Sequence, residues 1–165
     1  TMENLLAMPV TPAEVMLGKV LPYFAVGAVQ VLVVLSLARL VFGVPFLGSL
    51  PLLLAGVGLF VMALVILGYL ISTVAQTQMQ AMQLSFFTIL PSILLSGFMF
   101  PFAGMPAWAQ AIGSCVPATH FLRIVRKVML KGGGLPDIAG DLGALSLILL
   151  AIALLAMLRY RQTLD

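Results

Sequence analysis

Residues 52–74, LLLAGVGLFVMALVILGYLISTV, run from Leu52 to Val74 without one charged side chain. A stretch of this kind matches the roughly 20 apolar residues that cross a hydrocarbon core. In lipid it has to be a helix, because a lone strand would leave its backbone groups unpaired. Working outward with the same criterion, three more spans emerge, from about Val20 to Phe42, Ala81 to Phe100 and Leu142 to Leu158. The alternating pattern of a membrane barrel is missing. Composition agrees: 62% of the chain is hydrophobic and only 8% charged, with mean hydropathy +1.21, whereas soluble domains carry about 25% charged residues. The expected fold is an all-α integral membrane protein with four transmembrane helices.

The sparse charges exclude several functions. A formal charge of +3 from eight basic residues is what the flanks of membrane spans carry, so nucleic acid is not an expected partner. Cys115 is the only cysteine and His120 the only histidine, so neither an internal disulfide nor a Cys/His metal site can be assembled. Gly18-Lys19 lacks the upstream glycine and the following Ser or Thr of a phosphate loop, so any ATP has to be handled by a partner. There is no H-E-x-x-H motif, and the segment around Ser96 and Gly97 lacks a nucleophile-elbow pattern and a base, which argues against an intramembrane hydrolase. None of the five acids falls within the four spans, which disfavours proton- or sodium-coupled secondary transport. Arg39, a few residues from Gly43, is read as snorkelling to the interface.

The connections differ in character. GVPFLGS, Gly43–Ser49, is a tight turn that makes the first two helices antiparallel neighbours. In STVAQTQMQAMQ, residues 72–83, Gln76, Gln80 and Gln83 recur at helical spacing. Helix is therefore expected to continue through much of it, its amide face being either a solvated interfacial turn or a substrate contact. Residues 101–141 read as two short interfacial helices, the first opened by Pro106 and carrying Trp108, the second starting after Pro117 and stopped by Gly132–Gly134. Along the second, His120, Arg123, Lys127 and Lys131 form a basic stripe opposite an apolar face, with Arg126 off the stripe. Such a helix lies at a membrane surface with its cations near lipid phosphates, or else guides anions.

The opening segment, ENLLAMPVTPAEVMLGK (residues 3–19), combines two prolines and two acids directly before a span. Thr11 fits a helix N-cap, Pro12 the first helical position, and Glu14 the third, from which its carboxylate reaches back to the Thr11 amide. Pro9 separates this helix from a preceding turn around Glu3 to Ala7, and Pro22 permits a second bend. The segment is thus a membrane-surface anchor or a mechanical joint to the span. The first residue is Thr1 and no signal-peptide pattern opens the chain, so it reads as the C-terminal part of a longer protein.

TMENLLAMPVTPAEVMLGKVLPY, LISTVAQTQMQAMQ, LPSILLSGFMFPFAGMPAWAQ, PATHFLRIVRKVMLKG and the closing RYRQ occur in this order over essentially the whole chain. Together they resemble the C-terminal half of a type-2 ABC transporter permease, of the bacterial branch with six spans and a large external domain between the first two. The resemblance implies a cytoplasmic coupling segment at 1–19, three transmembrane helices within 20–100, external interfacial helices within 101–141, a last span at 142–158 and a cytoplasmic tail at 159–165. It implies contact with a separate ATP-binding subunit through Glu3, Asn4, Leu5, Leu6, Met8, Pro9, Thr11, Pro12, Glu14 and Lys19. No cofactor is expected in this chain, ATP and magnesium belonging to that subunit. Further implied partners are a second permease subunit, identical or not, membrane lipid and a periplasmic adaptor, and the implied location is the bacterial inner membrane. Counting basic residues alone would put the chain ends outside; the resemblance puts them inside and takes precedence, because interfacial basic helices are weak topology signals. Pro91, Ser92, Ser96 and Gly97 are candidates for a kink with polar contacts along the substrate pathway, or for a packing kink. The readings from other classes are a non-transport anchoring or assembly module and an ion-coupled secondary transporter.

Overall fold

The computed structural model describes residues 11–164, and every regular element among them is helical. In chain order these are α1 (Pro12–Leu40), α2 (Leu50–Val74), α3 (Gln78–Leu95), a 3-10 turn (Phe102–Gly104), α4 (Ala107–Gly113), α5 (Pro117–Val125) prolonged by a π-helical turn (Arg126–Leu130), and α6 (Leu135–Leu164). Among the described residues, three segments are long and apolar enough to cross a membrane: Ala13–Leu40, Leu50–Val74 and Leu135–Arg159.

The capping box at the start of α1 forms as its spacing requires. The Glu14 amide donates to Thr11 Oγ1 at 3.2 Å, and the Thr11 amide donates to the Glu14 carboxylate at 3.4 Å. The expected second bend is not a break: α1 continues as one helix through Pro22. Proline removes one backbone donor there, but Val15, Met16 and Val20 in the preceding turns are buried, and that packing holds the helix together. Glu3, Asn4, Leu5, Leu6, Met8 and Pro9, with the turn and break read around them, lie outside the described residues.

α2 is the hub of the bundle. Leu53, Val57, Val61 and Ile66 form its buried stripe. Near its start, Leu53 and Val57 pack with Ile124 and Val128 of the α5 segment and with Ile138 and Leu145 of α6. Near its end, Ile66 packs with Met16 and Val20 of α1 and Ala156 of α6. Arg159 Nη2 closes that end by donating to the Thr73 carbonyl at 3.2 Å. Hence α2 and α6 run parallel, the start of α1 and the end of α6 meet at one end of the bundle, and α5 sits at the other. The chain between α2 and α6 must therefore travel the bundle's length in reverse, and α3 is the element that does so.

Helix does not continue through the glutamine-rich connection. Ala75 and Thr77 are extended, Thr77 Oγ1 caps α3 by accepting from the Gln80 amide at 3.1 Å, and the Gln80 side chain accepts from the Gln76 amide at 2.7 Å. A threonine followed three residues later by glutamine is a capping arrangement, and it restarts the helix. At the far end α3 stops at Leu95, short of Phe100, because Gly97 adopts φ 92°, a left-handed conformation that side chains resist. The 18 residues of α3 rise about 27 Å at ~1.5 Å each.

The two short helices stand where the sequence placed them. α4 docks on the end of α3 through Gly113, whose missing Cβ leaves room for the Leu95 carbonyl. α6, however, begins at Leu135, ahead of the apolar run at Leu142. Its first turn is tied down by the Asp137 carboxylate, which accepts from the Gly134 amide at 2.9 Å. Asp141 consequently lies inside a helix that qualifies as a span, which removes the expectation that every acid lies outside the spans.

Candidate functional site

α2, α3 and the start of α5 line a half-open cavity of about 540 Å³. Its polar groups come from one face of α3, where Ser85, Thr88, Ser92 and Ser96 follow each other at helical steps. Each hydroxyl donates to a carbonyl of its own helix: Ser85 to Ala81 at 2.8 Å, Thr88 to Leu84 at 2.9 Å, Ser92 to Thr88 at 2.7 Å and Ser96 to Ile93 at 3.2 Å. With their protons so occupied, these hydroxyls present acceptor lone pairs to the cavity and cost little to bury in an apolar setting. The remaining wall is apolar: Leu64, Leu67 and Ile71 from α2, with Val116, Pro117, Ala118 and Leu122 around α5. Phe60 of α2 and Phe121 of α5, both in this wall, stack on each other with centroids 4.2 Å apart. Among the described residues, no ionisable side chain lines the cavity. A volume and lining of this kind suit a drug-sized apolar molecule held by few polar contacts.

Of the candidate pathway residues, Ser92 and Ser96 line this cavity, while Pro91 and Gly97 do not. Pro91 lies within α3, and Gly97 makes the turn that ends the following stretch of chain. The Gly97 carbonyl is also contacted by Arg126 Nη2 at 3.4 Å.

The basic stripe of α5 does not face lipid as expected. His120, Arg123 and Lys127 converge on the buried carboxylate of Asp141. His120 Nδ1 is 3.0 Å from Asp141 Oδ1, Lys127 Nζ is 3.1 Å from Oδ2, and Arg123 Nη1 is 3.7 Å from Oδ1. His120 Nε2 donates to the Ser114 carbonyl at 2.8 Å, and Lys127 also donates to the Asp137 carbonyl at 3.1 Å. Arg123 further rests over the ring of Phe102, 4.6 Å from its centroid. A carboxylate with 8% of its side chain exposed is tolerated only when charges and hydrogen bonds compensate its lost hydration, and this is why the stripe turns inward. Lys131, at the end of the stripe, stays exposed. Sequence reading missed Asp141 as a site residue. The available signal was an acid just ahead of an apolar run that follows a helix with cations at steps of three and four.

At the other end of the bundle, α1 and α2 enclose a second cavity of about 1000 Å³, lined among others by Lys19, Tyr23, Gln30, Tyr69 and Ser72. Lys19 thus sits beside the capped start of α1, which carries Thr11 and Glu14.

Parallel α2 and α6, an antiparallel α1 and a cavity between apolar helices define a multi-pass, all-helical membrane protein. Residues 1–158 match the family described as ABC-2 family transporter protein, and the chain belongs to that family. Among curated proteins it is 36% identical over 133 residues to "Probable multidrug ABC transporter permease YbhS" of Escherichia coli K12, covering 80% of this chain and 35% of that one. It is 34% identical over 148 residues to "Probable multidrug ABC transporter permease YbhR" of the same strain, covering 90% and 40%. To "Inner membrane transport permease YhhJ", also of that strain, it is 35% identical over 168 residues, covering 99% and 44%. The chain therefore spans less than half the length of these relatives. No solved structure matches it.

Proposed function

We propose that this chain is the C-terminal half of the membrane-spanning subunit of an ABC exporter in a bacterial inner membrane. Two such permeases, identical or different, would work with two ATP-binding subunits, which supply ATP and magnesium chemistry from outside this chain. A periplasmic adaptor is compatible with this arrangement. α1, α2, α3 and α6 are the four spans in this reading. The parallel course of α2 and α6 supports counting α3 among them, since the chain has to return across the membrane, and about 27 Å of helix approaches the roughly 30 Å core. The chain ends then face the cytoplasm and α4 and α5 the outside.

The observation that carries the proposal is the unbroken α1, whose capped first turn leads straight into a span. A push from an ATPase against residues 3–19 reaches the membrane only through a stiff joint. Thr11, Pro12 and Glu14 build that joint, with Glu3, Asn4, Leu5, Leu6, Met8, Pro9 and Lys19 as the further contact positions. The cavity beside Ser92 and Ser96 is the pathway segment in this half. Its acceptor-only, uncharged lining suits apolar, drug-sized cargo, and the word multidrug in the names of two relatives points the same way. With the family in hand, the anchoring reading has no specific observation in its favour; Asp141 inside a span-length helix would favour the ion-coupled one, but it is paired with His120, Arg123 and Lys127 and is not among the residues that line the cavity.

The test is to purify the full-length permease with its co-expressed ATPase and reconstitute both in vesicles. ATP hydrolysis should differ from that of the ATPase alone, and a fluorescent apolar dye should move only with ATP. An ATPase that does not co-purify and hydrolyses ATP identically with and without the permease would sink the proposal.

A further inference from the structure

α5 has two working faces. Phe121, Ala118 and Leu122 form a wall of the cavity, and Phe121 stacks on Phe60 of α2. The other face carries His120, Arg123 and Lys127, all directed at Asp141 in α6. His120 and Phe121 are adjacent in sequence, so a displacement of α5 from α6 is at once a displacement of the cavity wall. The two neighbouring elements hold α5 unequally. Ile124 is fully buried against the Gly56 position of α2 and in the cluster with Ile138 and Leu145 of α6. α3, which supplies the hydroxyl wall, has no buried residue among its described positions except the Ser96 cap.

We infer that Asp141 is a positioning residue for the cavity. By hydrogen-bonding and pairing with the basic face of α5 and its π-helical turn it joins α5 to α6 as one body, and so fixes the Phe121 wall of the cavity. The groups facing Asp141 are the His120 ring and the Arg123 guanidinium on α5 and the Lys127 ammonium on the π-helical turn. From α6 itself the nearest addition is the Asp137 carbonyl, which shares Lys127. Arg123 and Lys127 keep part of their hydration, but the Asp141 carboxylate and the His120 ring are buried, so separating α5 from α6 would leave a buried carboxylate without its partners. The role in transport rests on the exporter reading, but the geometry of the wall does not.

The experiment uses the full-length permease in its complex, in a cysteine-free background with Cys115 replaced by Ser. A single cysteine is introduced as Ser92→Cys in the cavity or, as control, as Ser36→Cys on the exposed outer side of α1. The rate of labelling by N-phenylmaleimide is measured. Adding Asp141→Asn should raise the Ser92→Cys rate several-fold and leave the Ser36→Cys rate unchanged, while Asp141→Glu should restore it. Should Asp141→Asn fail to fold, Lys127→Met removes one partner, keeps the carboxylate paired with His120 and Arg123, and should give a smaller rise of the same sign. Equal Ser92→Cys rates in wild type, Asp141→Asn and Lys127→Met would overturn the inference, as would a rise shared equally by the Ser36→Cys control. Transport by the same complex is a separate reading: a permease that moves no dye defeats the exporter proposal, while the labelling rates still decide the role of Asp141.

Discussion

The rings of Phe60 and Phe121 lie parallel, within 2° of one another, with centroids 4.2 Å apart, and they join the hub helix α2 to α5 in the wall of the cavity. The contact joins the two walls that do not belong to α3. A stacked pair adds about 1 kcal/mol beyond the area it buries. Phe121→Leu keeps most of the apolar volume and should lower thermal stability slightly. Phe121→Ala should cost about 3 kcal/mol, at the low end for such truncations because the site is partly open. Thermal unfolding of the purified permease orders the two; a midpoint for Phe121→Leu equal to the parent's would remove the stack from the account, and equal midpoints for Ala and Leu would remove the buried volume.

The start of α1 offers a second test. Thr11→Ala deletes the hydroxyl that accepts from the Glu14 amide and should weaken the first turn by about 1 kcal/mol, whereas Thr11→Asp retains a capping oxygen. Hydrogen exchange of the amides of residues 13–15 should speed up in the alanine variant alone. If the turn is the joint proposed above, stimulation of the partner ATPase should fall in parallel, with the amount of assembled complex unchanged.

Two glycines predict opposite outcomes. A Cβ at Gly113 would collide with the Leu95 carbonyl and meet the Phe102 ring at 2.9 Å, whereas a Cβ at Gly58, mid-way along α2, meets nothing. Gly113→Ala should therefore destabilise by about 2 kcal/mol through overpacking. Gly58→Ala should be neutral or stabilise by up to ~1 kcal/mol through helix propensity. Comparing unfolding midpoints of the two variants with the parent checks both signs at once.

Cys115 reports on orientation. It is exposed, at the junction between α4 and α5, at the end of the bundle remote from the start of α1. A membrane-impermeant thiol reagent added to intact cells with a permeable outer barrier should label it without lysis. Protection in intact cells, followed by labelling after lysis, would place that end inside and reverse the proposed topology.

What the sequence determined by itself was whatever depends on neighbours along the chain. Runs such as Leu52–Val74 establish helices in lipid because hydropathy and backbone pairing are local demands. Thr11, Pro12 and Glu14 specify a cap because its hydrogen bonds span only three residues. The same local logic, applied to Thr77 and Gln80, would have exposed the break after Val74, where glutamine periodicity pointed to continued helix. The tertiary structure decided the rest. Asp141 meets His120 and Lys127 from 21 and 14 positions away, so an acid counted only as lying outside the spans became the buried centre of a charge cluster, and a basic stripe that looked lipid-facing turned inward. Ser92 and Ser96 could be marked as polar spots in an apolar helix, but only the placement of Phe60 and Phe121 opposite them makes a cavity. The physical reason is desolvation: whether a polar group faces lipid, water or a partner is settled by what packs over it, and packing partners are distant in sequence.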